Sequence, residues 1–484
     1  MAGVEDQNRS KKAPDDMAAQ AEAAPDLTAA AVDVIPPEIV AQSLSEYLRA
    51  WFVRVRSGDA GVLPVVAALI IVTIVFQIVT PNHVYLKPIN LVNLFDQSAV
   101  FIILAIGECF VLLLGEIDLS IGFIAAIGGI VAALVVQDPG PSFTLPSRIS
   151  FPLGVSIGLP FGNMLLWPFN GQVWPWWAAI IFALLVCAAI GAIHGIIITR
   201  LRLPSFVVTL AGQMFWFGVM IIILGNAGGL SVTSTVQGSQ QPYLYGIVYA
   251  YLDPVLSWIG LAVIIGLIGG SMWLRDAGRR RSGLVAPPVG LTLAKIAFLA
   301  VAGIAVVGIC NINRGNFLPI IGVPWVVPLV FAVVGGSTVL LERTQFGRHM
   351  YAVGGNPEAA RRAGVGVNSI RTWAFVLCSA IAGLGGIIYV SQLGGITTNI
   401  NGGQYVLFAV AAAVIGGTSL MGGRGRAIHG LLGGLTIGAI YNGLYLLGLP
   451  VQYQYIATGL VLLAAVAVDA LSRRSATSGS MARV

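Results

Sequence analysis

Charge is scarce in this chain of 484 residues: Asp, Glu, Lys and Arg together make up 10% of it. Soluble domains carry about 25%. With 57% hydrophobic residues and a mean hydropathy of +0.88, a water-soluble globular enzyme and a wholly disordered chain are both excluded. Lysine is rarer still. Lys11, Lys12, Lys87 and Lys295 are the only four, and none follows a glycine, so no Gly-x-x-x-x-Gly-Lys-Ser/Thr phosphate loop exists here. The four histidines, His83, His194, His349 and His429, are scattered, with no His-Glu-x-x-His. The four cysteines, Cys109, Cys187, Cys310 and Cys378, lie in or at the edge of apolar runs without metal-ligand spacing. They read as small apolar side chains, and a disulfide scaffold is ruled out. No metal or redox chemistry is supported. The start, Met1-Ala2-Gly3-Val4-Glu5-Asp6, has no basic region leading into an apolar stretch, so no cleaved signal peptide is expected.

What the chain does have is apolar runs of about 20 residues, too long for barrel strands. Twelve are expected, near 63–80, 98–115, 119–137, 176–199, 205–224, 257–274, 292–311, 324–341, 372–393, 405–420, 427–447 and 452–471. Glycine and proline interrupt several, so ten to twelve spans are expected in an all-α, polytopic transmembrane bundle. Residues 1–37, rich in Ala, Asp, Pro, Glu and Gln, read as a disordered tail. In 38–60, Leu44, Tyr47, Leu48, Trp51, Phe52 and Val55 recur at helical steps beside Arg49, Arg54 and Arg56. That pattern fits an interfacial amphipathic helix or a plain linker. The transmembrane domain is expected over 61–474, followed by a short tail, 475–484.

Charge sign is uneven. Residues 1–48 are net −6 and the remainder net +12. Basic residues concentrate in the loops that would face the cytoplasm if the N-terminus is inside: 20, against Lys87, Arg148 and Arg314 outside. This asymmetry predicts cytoplasmic termini in a plasma or inner membrane, and it explains the positive charge without nucleic acid. The external segment 138–175 carries seven prolines and runs into Trp174, Trp176 and Trp177, an interfacial aromatic belt.

Two elements carry candidate function. The first is Gly107-Glu-Cys-Phe-Val-Leu-Leu-Leu-Gly-Glu-Ile-Asp-Leu-Ser-Ile-Gly122. Its polar residues Glu108, Glu116, Asp118 and Ser120 are candidates for the translocation path, because charge inside a span is costly and faces a cavity or a neighbouring helix. Gly115, Asp118 and Ser120 predict a break between two helices. The second is the segment 342–371. Asn356 is a natural N-cap and Pro357 suits the first helical position. Glu358 favours the positive helix end. Ala359, Ala360 and Ala363 are helix formers, Arg361 and Arg362 lie toward the C-terminal end, and Gly364 suits the C′ position. A two-turn helix between spans is marginal alone and points to docking on a partner. Glycine-rich stretches at 115–129 and 416–434 read as a related pair of breaks.

The segment 342–371 resembles the cytoplasmic coupling loop of ABC-importer permeases. More closely, the chain resembles monosaccharide permeases of the ribose/xylose type. The matching pieces are Glu116–Gly122, Leu203–Leu210, Thr344–Arg361 and Val414–Gly425. The family commonly has glycine at the position of Glu116. The resemblance implies a non-enzymatic transport subunit without cofactor of its own, ATP being used by a partner ATPase. It further implies an extracytoplasmic sugar-binding protein, a permease dimer in the lipid bilayer, and a monosaccharide substrate, a pentose such as xylose. The implied coupling residues are Gly347, Arg348, Gly354, Asn356, Pro357, Glu358, Ala359, Ala360, Arg361 and Gly364. Rival readings are an ABC permease for a hexose or a branched-chain amino acid, or a proton-coupled secondary transporter using Glu108, Glu116 and Asp118.

Overall fold

Helices begin where proline meets an apolar run. In the computed structural model, residues 61–137, 173–225, 228–233, 239–284, 286–315 and 318–450 are described, with short segments between 142 and 170 and isolated positions in 45–53 and 452–463. The expectations for 1–37, most of 38–60, the run 452–471 and the tail 475–484 lie outside the described residues; positions 45–47, 49, 52 and 53 are helical.

The helices are α1 (Leu63–Val79), α2 (Pro88–Leu112), α3 (Ile121–Val135), α4 (Trp176–Leu201), α5 (Ser205–Leu224), α6 (Gln241–Tyr249), α7 (Pro254–Arg281) and α8 (Val289–Asn311). They continue as α9 (Val326–Arg343), α10 (Gln345–Gly355), α11 (Pro357–Arg362), α12 (Val367–Leu393), α13 (Gly402–Ile415) and α14 (Ala427–Leu446). Proline stands at N1 or N2 of α1, α2, α6 and α11, where its missing N–H costs nothing. Among the described residues, eight helices are long and apolar enough to cross a bilayer: α2, α4, α5, α7, α8, α9, α12 and α14. The apolar helices α1, α3 and α13 are shorter. These eleven correspond to the first eleven expected runs, and the chain is a polytopic helical membrane protein. At 14 residues, α13 is about 21 Å long, less than the ~30 Å hydrocarbon core. Both α3 and α13 adjoin glycine-rich breaks, which explains their shortness.

The only sheets among the described residues are two-stranded. Between Val135 and α4, β1 (Ser142–Thr144) pairs with β4 (Leu165–Asn170), and β2 (Arg148–Ser150) pairs with β3 (Ser156–Gly158). Further on, β5 (Gly229–Ser231) pairs with β8 (Gly395–Thr397), and β6 (Tyr251–Leu252) with β7 (Val323–Pro324).

The chain divides into two units, one containing Val263–Ala302 and the other Ala60–Ala262 with Gly303–Val484. In the first unit, Asp276 accepts from Thr292 Oγ1 at 2.9 Å and Arg280 donates to the Pro287 carbonyl at 2.9 Å, tying the turn between α7 and α8 to both helices. Most of α7 and α8 is exposed, as lipid-facing helices are.

The second unit is built on α2, buried over most of its length, and on α12, packed by α3 and α4. Its close packing is legible in glycine spacing. Gly430, Gly434 and Gly438 of α14 face Ile106, Ile102 and Ser98 of α2, stepping by four residues in opposite directions. Gly386 of α12 lies against the Ala125 carbonyl of α3, and a Cβ there would collide with that backbone. Lipid offers no hydrophobic drive for helix association, so close backbone approach supplies the packing energy instead.

Loop contacts sort this unit into two ends. One end gathers 113–120, 204–209, 344–371 and 416–426. The other gathers the β5–β8 and β6–β7 pairs, Gln137 and Gln241.

Candidate functional site

Helix α2 ends in a Schellman turn. Glu116 N–H bonds the Val111 carbonyl at 3.1 Å, Gly115 N–H bonds Leu112, and Gly115 has φ +73°. Only glycine adopts that conformation without strain. Helix α13 ends the same way: Thr418 N–H bonds Ala413 at 3.0 Å, Gly417 N–H bonds Val414, and Gly417 has φ +111°. The expected pair of glycine breaks is therefore a pair of like helix terminators, followed by α3 and α14.

The first break is closed and buried. Asp118 and Ser120 are fully buried, as is Glu108, and Glu116 is 6% exposed. Asp118 Oδ1 accepts from Ser120 N at 2.9 Å and from its hydroxyl, an Asx turn leading into α3. Ser120 occupies the N-cap position itself but makes no side-chain cap. The Asp118 N–H donates to Glu108 Oε1 at 3.1 Å, tying the break back to α2. His194 of α4 stands 3.3 Å from Ser120 Oγ through Nδ1, and Trp216 Nε1 of α5 lies 3.2 Å from His194 Nε2. The indole N–H can only donate, so Nε2 accepts and Nδ1 carries the proton. The chain then runs in one direction: Trp216 donates to His194, His194 to Ser120, and Ser120 to Asp118. From the N-terminal turn of α5, Thr209 Oγ1 accepts from Leu119 N at 3.1 Å, and Ser205 Oγ from Ile117 N at 3.4 Å. Glu116 is paired with Arg371 in the first turn of α12.

The segment 344–366 has the local structure its residues specify. Thr344 caps α10 by accepting from Gly347 N at 3.2 Å. Asn356 caps α11, its Oδ1 accepting from Glu358 N at 3.1 Å and Ala359 N at 3.0 Å. Glu358 pairs with Arg361 at 2.8 Å. Gly364, at φ +83°, ends the helix in a third Schellman turn, with Val365 N–H on the Ala360 carbonyl. Arg348, Asn356, Pro357, Glu358, Ala359, Arg361 and Gly364 are exposed; Gly347 and Ala360 are buried. The face that can meet a partner is thus Glu358, Ala359, Arg361 and Arg362, whereas Ala360 packs inward.

The loop 416–426 joins the two elements. Gly423 N–H donates to the Leu113 carbonyl at 2.9 Å. A Cβ at Gly354 would collide with that same carbonyl and approach Gly423 N to 2.9 Å. Tyr351 donates its hydroxyl to the Gly425 carbonyl at 2.7 Å. Burial and the nearby Glu342 carboxylate hold that phenol above its ordinary range, so it remains a donor. Arg426 pairs with Glu342 at 3.6 Å.

The structure therefore brings Glu108, Glu116, Asp118 and Ser120 into one buried junction. Gly354 meets that junction through the 416–426 loop, and α11 projects its exposed face beyond it. His194, Ser205, Thr209, Trp216, Tyr351 and Arg371 were not singled out as site residues from sequence. The signal for Ser205 and Thr209 was present in the Leu203–Leu210 stretch, and for the loop in Val414–Gly425. Among the described residues, no group of three or more His, Cys, Asp or Glu side chains is placed to hold a metal ion.

These features define a polytopic helical membrane protein whose short capped helix is keyed into paired glycine breaks. By sequence comparison, residues 90–466 match the family described as branched-chain amino acid transport system / permease component, and the chain belongs to that family. Among curated relatives, it is 31% identical over 424 residues to the xylose transport system permease protein XylH of Escherichia coli K12, covering 87% of this chain and 95% of that one. The corresponding protein of Haemophilus influenzae is 30% identical, with 87% and 99% covered. The ribose import permease protein RbsC of E. coli K12 is 29% identical, with 87% and 95% covered. No solved structure matches. Within the family, the chain groups with sugar permeases, and these relatives are permease subunits rather than enzymes.

Proposed function

We propose that this chain is the membrane subunit of an ATP-driven importer for a pentose, with xylose the first candidate and ribose the second. The observation that carries the reading is the link from α11 through Gly354, the 416–426 loop and the Glu116–Arg371 pair to the break after α2. A partner ATPase meets the exposed face of α11 and supplies the ATP chemistry. Its motion shifts α10 and α11 as a capped unit, and the shift reaches the break through backbone contacts too close to slip. In this scheme Glu108, Glu116, Asp118 and Ser120 close the inner end of the path. A second copy of the chain and an extracytoplasmic sugar-binding protein complete the importer. Neutral sugars need hydrogen bonds along the route but no tight site, which would trap them.

The test is uptake of labelled xylose, ribose, glucose and leucine into vesicles holding the chain with its partner ATPase and binding protein. ATP-dependent uptake of xylose, with ribose weaker, is the expected result. Leucine or glucose uptake instead would move the substrate assignment. Uptake by this chain alone on a proton gradient would overturn the ATP-coupled reading.

A further inference from the structure

A second polar group lies inside α2, far from the break. Asp96 is 8% exposed, and its Oδ1 is buried without a hydrogen-bond partner. Buried oxygens are nearly always bonded, so an orphan calls for an explanation; an ionisable residue inside a span is a functional candidate by default. Seventeen residues separate Asp96 from Leu113, about 25 Å along the helix. Asp96 therefore belongs to the end of α2 opposite the α11 linkage, where an external binding protein would deliver its load.

Around this end the chain gathers the groups a sugar needs. Arg314, also 8% exposed, comes from the segment between α8 and β7. Its guanidinium donates to the carbonyls of Cys310 and Gly322 and stands over the Tyr251 ring, 5.3 Å from its centre. Asp96 lies within electrostatic reach of Arg314, Tyr251 and Tyr249. Tyr249, 43% exposed, stacks on Tyr245 at 4.5 Å. A plain structural ion pair would place a guanidinium N–H on Asp96 Oδ1. Instead two of the Arg314 donors go to carbonyls, and the carboxylate oxygen stays buried and unbonded. A guanidinium has five N–H donors, so some remain for a ligand.

We propose that Asp96, Arg314 and Tyr251 form an outer monosaccharide-binding site, with Asp96 accepting from a sugar hydroxyl, Arg314 donating to another, and the Tyr251 ring offering the face that Arg314 leaves uncovered to sugar C–H groups. The proposal rests on the sugar-importer reading above. It adds a site at the opposite end of α2 from the break.

Tyr249→Cys serves as an accessible reporter at the rim, against four buried native cysteines. The permease–ATPase complex carrying it is labelled with a water-soluble thiol reagent, with and without millimolar xylose, ribose or leucine. Xylose and ribose should slow labelling at position 249 at least threefold, and leucine should not. Adding Asp96→Asn should remove that protection and lower ATP-driven xylose uptake at least tenfold. Arg314→Lys, which keeps the charge but loses the fork, should do the same and serves if Asp96→Asn fails to insert. If the complex imports xylose yet sugars give no protection, or protection survives both substitutions, the outer site is wrong while the importer reading stands. If the complex imports neither pentose, the importer reading itself has failed.

Discussion

Glu116 and Arg371 form an ion pair between two distant stretches of the chain. Glu116 lies in the break, and Arg371 nine residues beyond the end of α11, so the pair spans the two elements that the proposed coupling moves together. The Glu116 side chain is buried while Arg371 is about one-third exposed, which screens part of the interaction. Removing one partner leaves a charge only partly compensated, so Glu116→Ala should cost about 1–3 kcal/mol and reduce sugar moved per ATP hydrolysed. The exchange Glu116→Arg with Arg371→Glu should recover part of the coupling. Equal coupling ratios in the wild type and both single variants would remove the pair from the transmission route. At Gly386 the limit is steric: Gly386→Leu drives a side chain into the Ala125 backbone. Overpacking of this kind costs about 1–3 kcal/mol or more. Low yield of assembled protein on size exclusion is the expected result, with Gly218→Leu, where nothing lies within 4 Å, as the tolerant control.

At the scale of elements, α11 is specified by its own residues. Asn356, Pro357, Glu358 and Gly364 predict cap, first position, dipole partner and C′ residue, and the structure has each in place. Sequence alone did not separate Ala359 from Ala360, because two adjacent alanines have equal propensity; only packing against the rest of the chain buries Ala360 and exposes Ala359. That difference predicts two phenotypes. Ala359→Trp should insert and dimerise normally yet lose ATPase stimulation by the loaded binding protein, since it places bulk on the exposed face. Ala360→Trp should instead lower the amount of folded protein, by overpacking. Measuring membrane yield and stimulated ATPase activity for both variants separates them, and identical behaviour would contradict the assignment of faces. Helices α3 and α13 make the same point at larger size. Their shortness follows from Gly115 and Gly417, both readable, but the like geometry of their terminators emerges only from backbone hydrogen bonds.

For the whole molecule, the two loop sets at opposite ends of the larger unit match the asymmetry of basic residues. Arg348, Arg361, Arg424 and Arg426 fall in the set that includes 344–371, and Arg314 in the other. We therefore expect single cysteines placed at exposed positions of 356–364 to resist membrane-impermeant reagents in intact cells, and cysteines at exposed positions near Tyr243 to react. Labelling of 356–364 from outside would reverse the topology. Eleven of the spans, the capped helix and the glycine breaks were determined by the sequence itself, because hydropathy, capping and φ preference act within a few residues; the limits were not, α2 beginning at Pro88 rather than near 98. The buried junction was decided by tertiary structure. Ser120, His194 and Trp216 come from three different stretches of chain, and Glu116 and Arg371 from two. No local rule encodes which polar side chains meet once helices are packed. That choice follows from which faces the glycines allow to approach, and from the cost of leaving a polar group unpaired between them.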